Sequence, residues 1–214
     1  MVESGVSDTL IREYAEVVNL DRVLPFRFIA AARAVPQYED MLERMMFKSL
    51  EGAEKLRGKT VLVIDVSGSM FGTKVSAKSD LDRFDAAGAL AVLCRELCDN
   101  VEIFSFSNDA VRVPPRRGFA LVEAIDKSQG HGGTSLGRSL QTIYATAAVS
   151  KHDRMIVITD EQSYDTPAAP KCKNGYILNV GSYQNGVNND SWTIITGFSE
   201  AVLAYMMALE KLAD

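Results

Sequence analysis

Thr60-Val61-Leu62-Val63-Ile64-Asp65-Val66-Ser67-Gly68-Ser69-Met70 runs from four consecutive aliphatic residues into a carboxylate, then into a turn of small oxygen-bearing side chains. A short apolar run without polar alternation reads as a strand buried on both faces, as in a parallel sheet. A buried strand that ends in Asp-x-Ser-x-Ser delivers those oxygens to the carboxyl edge of the sheet, where open α/β sheets bind ligands.

Carboxylate and hydroxyl oxygens are hard donors and suit Mg2+, Mn2+ or Ca2+ rather than zinc or copper. Alone, the string reads almost as well as a polar turn capping the next helix, because Ser and Asp are common caps. Two later stretches favour the metal. Gly132-Gly133-Thr134-Ser135 opens a helical run, and Met155-Ile156-Val157-Ile158-Thr159-Asp160-Glu161 repeats the pattern of an apolar strand ending in an acid. Three loops therefore offer oxygens at one sheet edge.

With Asp65, Ser67 and Ser69 after the first strand, then a later Thr and a later Asp, the chain resembles the metal-ion-dependent adhesion site of von Willebrand factor A domains, from about Lys59 onward. The resemblance implies that Ser67 and Ser69 bind the metal through their hydroxyls. Thr134 matches the second-loop threonine, and Asp65 and Asp160 match the two carboxylates, either of which can act through water. It also implies a six-stranded sheet of order 3-2-1-4-5-6 with strand 3 antiparallel. A second resemblance spans more of the chain. Val23-Leu24-Pro25-Phe26-Arg27-Phe28-Ile29, the Asp65–Met70 stretch and Ser79-Asp80-Leu81-Asp82-Arg83 are similar to the C-terminal part of Ro (TROVE) RNA-binding proteins. That family joins a ring of helical repeats to a von Willebrand factor A domain and binds small non-coding Y RNAs. Most of the ring has no counterpart here.

The 214 residues fit one domain with an appendage: a helical segment over 1–57, a possible remnant of the ring, and an α/β domain over 58–214. The hydrophobic share of 47% and charged share of 24% are those of an ordinary globular chain. A formal net charge of −5 argues against strong non-specific nucleic-acid binding. No apolar run reaches membrane-spanning length, and the N-terminus lacks the pattern of a signal peptide. Of three cysteines, Cys94 and Cys98 share an apolar helical spacing, and His131 and His152 are not at zinc-ligand spacing. A reducing, cytoplasmic setting without membrane association is expected.

Helices are expected over 7–19, from Pro25 through Ala34, and from Pro36, where Tyr38, Met41, Leu42, Met45 and Met46 form a packing stripe. After the first strand, helix is expected over 81–98, with Gly88 allowing close approach, and strands over 101–106 and 110–113, the latter an edge stopped by Pro114 and Pro115. Further helices are expected over 121–127 and 135–149, strands over 155–159, 176–180 and 193–196, and a closing helix capped by Ser199. Residues 161–173 read as mainly loop, and Gln184–Asp190 as a polar turn. The alternation predicts a doubly wound, mainly parallel α/β sheet.

These readings imply a non-enzymatic, metal-dependent interaction module of a Ro-like ribonucleoprotein, with Mg2+ first and Mn2+ or Ca2+ as alternatives. Its outer ligand would be a partner carboxylate or an RNA phosphate. Small structured RNA would bind only with a helical-repeat partner or an upstream segment. Lys74, Lys78, Arg83, Arg112, Arg116 and Arg117 are the nearest basic residues, scattered between loops and readable as solvated. Two alternatives remain. In a phosphatase-like hydrolase, Ser67 or Ser69 would need a base, and His131 is the one candidate. In a metal-free scaffold, the contacts would lie elsewhere.

Overall fold

The computed structural model describes residues 5–20, 23, 25–76, 81–146, 149–181, 191–197, 199 and 201–213. Leu24, Lys78, Ser79, Asp80 and the expected turn Gln184–Asp190 lie outside the described residues. The chain divides into two units, Met1–Ala53 and Glu54–Asp214.

The first unit is helical. In α1 (Asp8–Val17) the Ser7 hydroxyl accepts from the Leu10 amide, and Ile11 and Ala15 are buried. Phe28, Ile29 and Ala32 are the buried residues of α2 (Pro25–Ala34). Pro36 opens a single 3-10 turn, not an α-helix, and α3 (Glu39–Ser49) follows with Met41, Leu42 and Met46 buried. Two of the methionines in the stripe are thus core residues.

The second unit is built on β1 (Leu56–Asp65), which lies between β2 (Cys98–Phe106) and β4 (Arg154–Thr159) and runs parallel to both. β5 (Asn174–Asn179) and β6 (Thr193–Thr196) extend the parallel sheet on one side, and β3 (Ala110–Arg112) adds antiparallel to β2 on the other. The order is β3-β2-β1-β4-β5-β6. The reversal of strand order falls between β1 and β4, so the crevice at their carboxyl ends lies beyond Asp65 and Thr159.

Thr60 to Asp65 are all buried, because both faces of β1 are covered. Val61 and Val63 pack with Leu136, Leu140 and Ile143 of α6 (Leu136–Thr146). Leu62 and Ile64 alternate to the opposite face, where α4 (Arg83–Leu97) lies on β1, β2 and β4. Within α4, a Cβ on Gly88 would sit 3.0 Å from Val122 Cγ1 of α5 (Gly118–Asp126), so the close approach read from the sequence is made to a neighbouring helix. The unit closes with α7 (Ala201–Ala213), whose Ala201 amide donates to the Ser199 hydroxyl at 3.2 Å.

Boundaries differ where local spacing is ambiguous. Cys98 continues the apolar spacing of α4, yet its backbone is extended and it starts β2, its amide closing the helix on the Cys94 carbonyl. β1 begins at Leu56, ahead of the expected start, with Gly58 at φ +91° absorbing a register irregularity against β2. α5 starts at Gly118, and Val149, expected within the helix of α6, belongs to a 3-10 turn over Val149–Lys151. Residues 161–173 contain no helix or strand, as expected of a loop.

Candidate metal centre

β1 delivers Asp65 fully buried at its carboxyl end. Oδ1 accepts the Ser67 amide at 2.8 Å, and Oδ2 accepts the Thr159 hydroxyl from β4 at 2.6 Å. Burial pushes the Asp65 carboxyl up to about 6, against the hydrogen bonds from Ser67 and Thr159. Beyond Asp65 the chain makes one 3-10 turn, Gly68–Met70. The Val66 amide, still paired to the Phe106 carbonyl at 2.9 Å, holds its start, and the buried Met70 anchors its end. Within that turn the Ser67 and Ser69 hydroxyl oxygens are 3.2 Å apart.

The loop carrying Thr134 is tied to this turn, the Gly68 amide donating to the Gly132 carbonyl at 3.1 Å. The turn between β2 and β3 braces the same loop. The Ser107 hydroxyl donates to the Gly130 carbonyl and accepts the Gly132 amide, both at 3.0 Å, and Asn108 Oδ1 accepts the Gly133 amide. A Cβ on Gly132 would fall 2.4 Å from the Asn108 amide nitrogen, so a side chain there would have to displace Asn108. Thr134 is buried, and its hydroxyl makes no hydrogen bond among the described residues.

α6, which follows Thr134, takes its cap from a distant loop. Its Leu136 amide donates to the Ser163 hydroxyl, and the Gly137 and Arg138 amides donate to the two Asp165 oxygens at 2.8 and 2.9 Å. The Tyr164 amide donates to the Thr134 carbonyl at 2.9 Å. The loop after β4 therefore fixes the Thr134 loop as well as carrying Asp160.

Asp160, fully buried, is held by Arg83, whose Nη1 lies 2.6 Å from Oδ2. The same Nη1 reaches the Ser69 carbonyl at 3.4 Å, and Asp160 Oδ1 accepts the Gln162 amide. Arg83 is only 5% exposed, which corrects the expectation of a solvated basic side chain. Glu161 follows with φ +62° and is buried; its Oε1 has no hydrogen-bond partner among the described residues, and burial raises its carboxyl. His131, the sequence candidate for a base, stacks on Phe71 at 4.0 Å, and its Nε2 lies 3.1 Å from the Asp126 carbonyl and 3.3 Å from its carboxylate.

The structure thus joins Asp65, Ser67 and Ser69 directly. It links Asp160 to the same turn through Arg83, and brings in the Thr134 loop through Gly68 and Gly132. Thr159, Glu161 and Asp165 were not singled out by the sequence, and Arg83 was read only as a solvated basic residue, since each acts on a partner far along the chain or is marked only by burial. Among the described residues no cluster of three or more His, Cys, Asp or Glu side chains could hold a metal, so a cation here depends on the hydroxyls. The donor set, hydroxyls with buried carboxylates and an orphaned Glu161 oxygen beside Asp160, fits a hard divalent cation. It fits with one complication, that Arg83 already neutralises Asp160.

Among solved structures, the chain is similar to the Ro (RSR) protein of Deinococcus radiodurans, with a TM-score of 0.71 and 16% identity, covering 95% of this chain and 48% of that one. It spans about half the length of that protein, and at this identity the likeness is one of fold. A von Willebrand factor type A protein from Catenulispora acidiphila gives a TM-score of 0.49 at 19% identity, covering 73% of this chain and 42% of that one. BatB from Bacteroides thetaiotaomicron gives 0.48 at 15%, covering 72% and 98%. No curated protein sequence matches the chain. Residues 60–162 match the model of the von Willebrand factor type A domain family, a span that contains Asp65, Ser67, Ser69, Thr134 and Asp160, and the six-stranded sheet has the α/β fold of that kind.

Proposed function

We propose that this chain is a non-enzymatic, metal-dependent interaction module of a cytoplasmic Ro-like ribonucleoprotein involved in small-RNA binding or RNA quality control. Ser67, Ser69 and Thr134 would hold a divalent cation, Mg2+ first, through hydroxyls, with Asp65 and Asp160 as its carboxylates. The reading is carried by one observation: the buried Asp65 carboxylate and the Ser67 and Ser69 hydroxyls sit on one turn, which the Gly68–Gly132 hydrogen bond ties to the Thr134 loop. Neutral hydroxyls add no charge, and a carboxylate acting through water neutralises a cation less than a direct contact does, so a bound cation can recruit an oxygen from outside. A partner Asp or Glu, or an RNA phosphate, is the ligand of that class. The Ro assignment draws on the quoted residue resemblances, and the structural likeness supports it at the level of fold.

The Arg83–Asp160 ion pair favours a second reading, a metal-free protein-binding scaffold in which the guanidinium takes the place of the cation. Thermal unfolding separates the two. A ligand that binds only the native state raises its stability, so Mg2+ must raise the Tm of the wild type and leave that of Ser67→Ala unchanged. Equal Tm with and without Mg2+ in the wild type favours the scaffold.

A further inference from the structure

Arg83 and Asp160 are 77 residues apart in the chain, yet they form an ion pair in which the carboxylate is fully buried and the guanidinium nearly so. The guanidinium also contacts the Ser69 carbonyl, so its charge lies against the turn that carries the Ser67 and Ser69 hydroxyls. Arg83 gives up Asp160 only by moving its side chain.

We infer that Arg83 and a divalent cation compete for the Asp160 carboxylate, so that Arg83 sets the affinity of the metal site; this rests on the metal reading above. Three physical points carry it. Asp160 Oδ2 is already engaged by a charge-assisted hydrogen bond, so a cation that takes this oxygen must displace the guanidinium. A guanidinium left against the Ser69 carbonyl, itself nearly out of solvent, would repel a divalent ion on the neighbouring hydroxyls. Without metal, removing Arg83 would strand a buried carboxylate, which gives the ion pair a clear role in the apo fold. The site therefore has two balanced states: guanidinium on Asp160 with no metal, or metal on the hydroxyls with Arg83 turned away. Partner capture follows the second state.

The experiment is a titration of Mn2+ into the wild type, Arg83→Gln, Asp160→Asn and the double variant by calorimetry, with circular dichroism confirming the fold of each. Competition predicts that Arg83→Gln binds at least about tenfold more tightly than the wild type, the scale expected for removing one like charge a few ångströms away. It predicts that Asp160→Asn binds more weakly, and that the double variant loses most of the gain. Equal or weaker binding by Arg83→Gln overturns the inference while leaving the metal site intact. Absence of Mn2+ binding in both the wild type and Arg83→Gln overturns the metal reading and the inference together. Should Arg83→Gln fail to fold, the wild type labelled with 15N-arginine decides the matter. Saturation with Mg2+ must shift the Arg83 side-chain resonance, and Mg2+ binding that leaves the resonance in place overturns the inference.

Discussion

The Thr159 hydroxyl of β4 donates to Asp65 Oδ2 at the end of β1, at 2.6 Å and with both side chains out of contact with solvent. The same hydroxyl oxygen accepts the Glu161 amide at 3.2 Å, so one side chain aims the first carboxylate and shapes the loop that carries the second. Replacing it with the near-isosteric valine leaves the buried carboxylate one donor short. Thr159→Val is expected to lower the unfolding free energy by about 1–3 kcal/mol, read by urea denaturation. A change below about 0.5 kcal/mol, the usual range for a surface substitution, would show the bond to be dispensable.

The cap of α6 from Asp165 makes a pH-dependent contribution. Burial raises the Asp165 carboxyl, but the Gly137 and Arg138 amides and the Ser163 hydroxyl outweigh burial and hold it below its ordinary value. A depressed folded value means that the contribution is fully present above the unfolded value near 4 and is lost as pH falls through the folded one. Asp165→Ala is therefore expected to cost about 1 kcal/mol at neutral pH, and the Tm gap to the wild type should close below about pH 4. A gap that persists undiminished at pH 2.5 would contradict the assignment.

Gly137 offers a counter-intuitive companion test. Alanine is the better helix former by about 1 kcal/mol. Yet a Cβ at Gly137 would lie 2.8 Å from the Thr166 carbonyl oxygen and 2.9 Å from Asp165 Oδ2. Gly137→Ala is expected to lower the Tm, and a raised Tm would mean that the cap tolerates displacement.

These residues mark where reading the sequence stops. The acid-ended strands β1 and β4 were legible because burial on both faces of a strand leaves an unbroken apolar run, whereas the order of the sheet came from the resemblance to von Willebrand factor A domains. The oxygen cluster was legible because it is local, with Asp65, Ser67 and Ser69 falling within five positions. Asp165 was not, since it caps a helix that starts 29 residues earlier in the chain. Arg83 reads as one of several scattered, solvated basic residues, and only the fold brings it to Asp160. Cys98 was misplaced because an i, i+4 apolar spacing does not reveal where a helix hands over to a strand.

RNA binding by this chain alone is expected to be weak and salt-sensitive. Arg83 is removed from the surface, Arg112 pairs with Glu102 at 3.5 Å, and Arg117 pairs with Glu96. Few phosphate contacts then remain, on a chain of net charge −5. Gel-shift titrations with a small structured RNA should show binding that disappears by physiological salt and returns when a Ro-type helical ring is added. Tight, salt-resistant binding by residues 1–214 would place RNA recognition in this chain.

A hydroxyl-based metal site on the Asp65 turn stands or falls with calorimetric titration of Mg2+ at neutral pH. One dominant site is expected in the wild type and loss of most of that binding in Asp65→Ala, with the far-UV circular dichroism of the two proteins alike. Unchanged Mg2+ binding in Asp65→Ala, or no binding by the wild type, would contradict it.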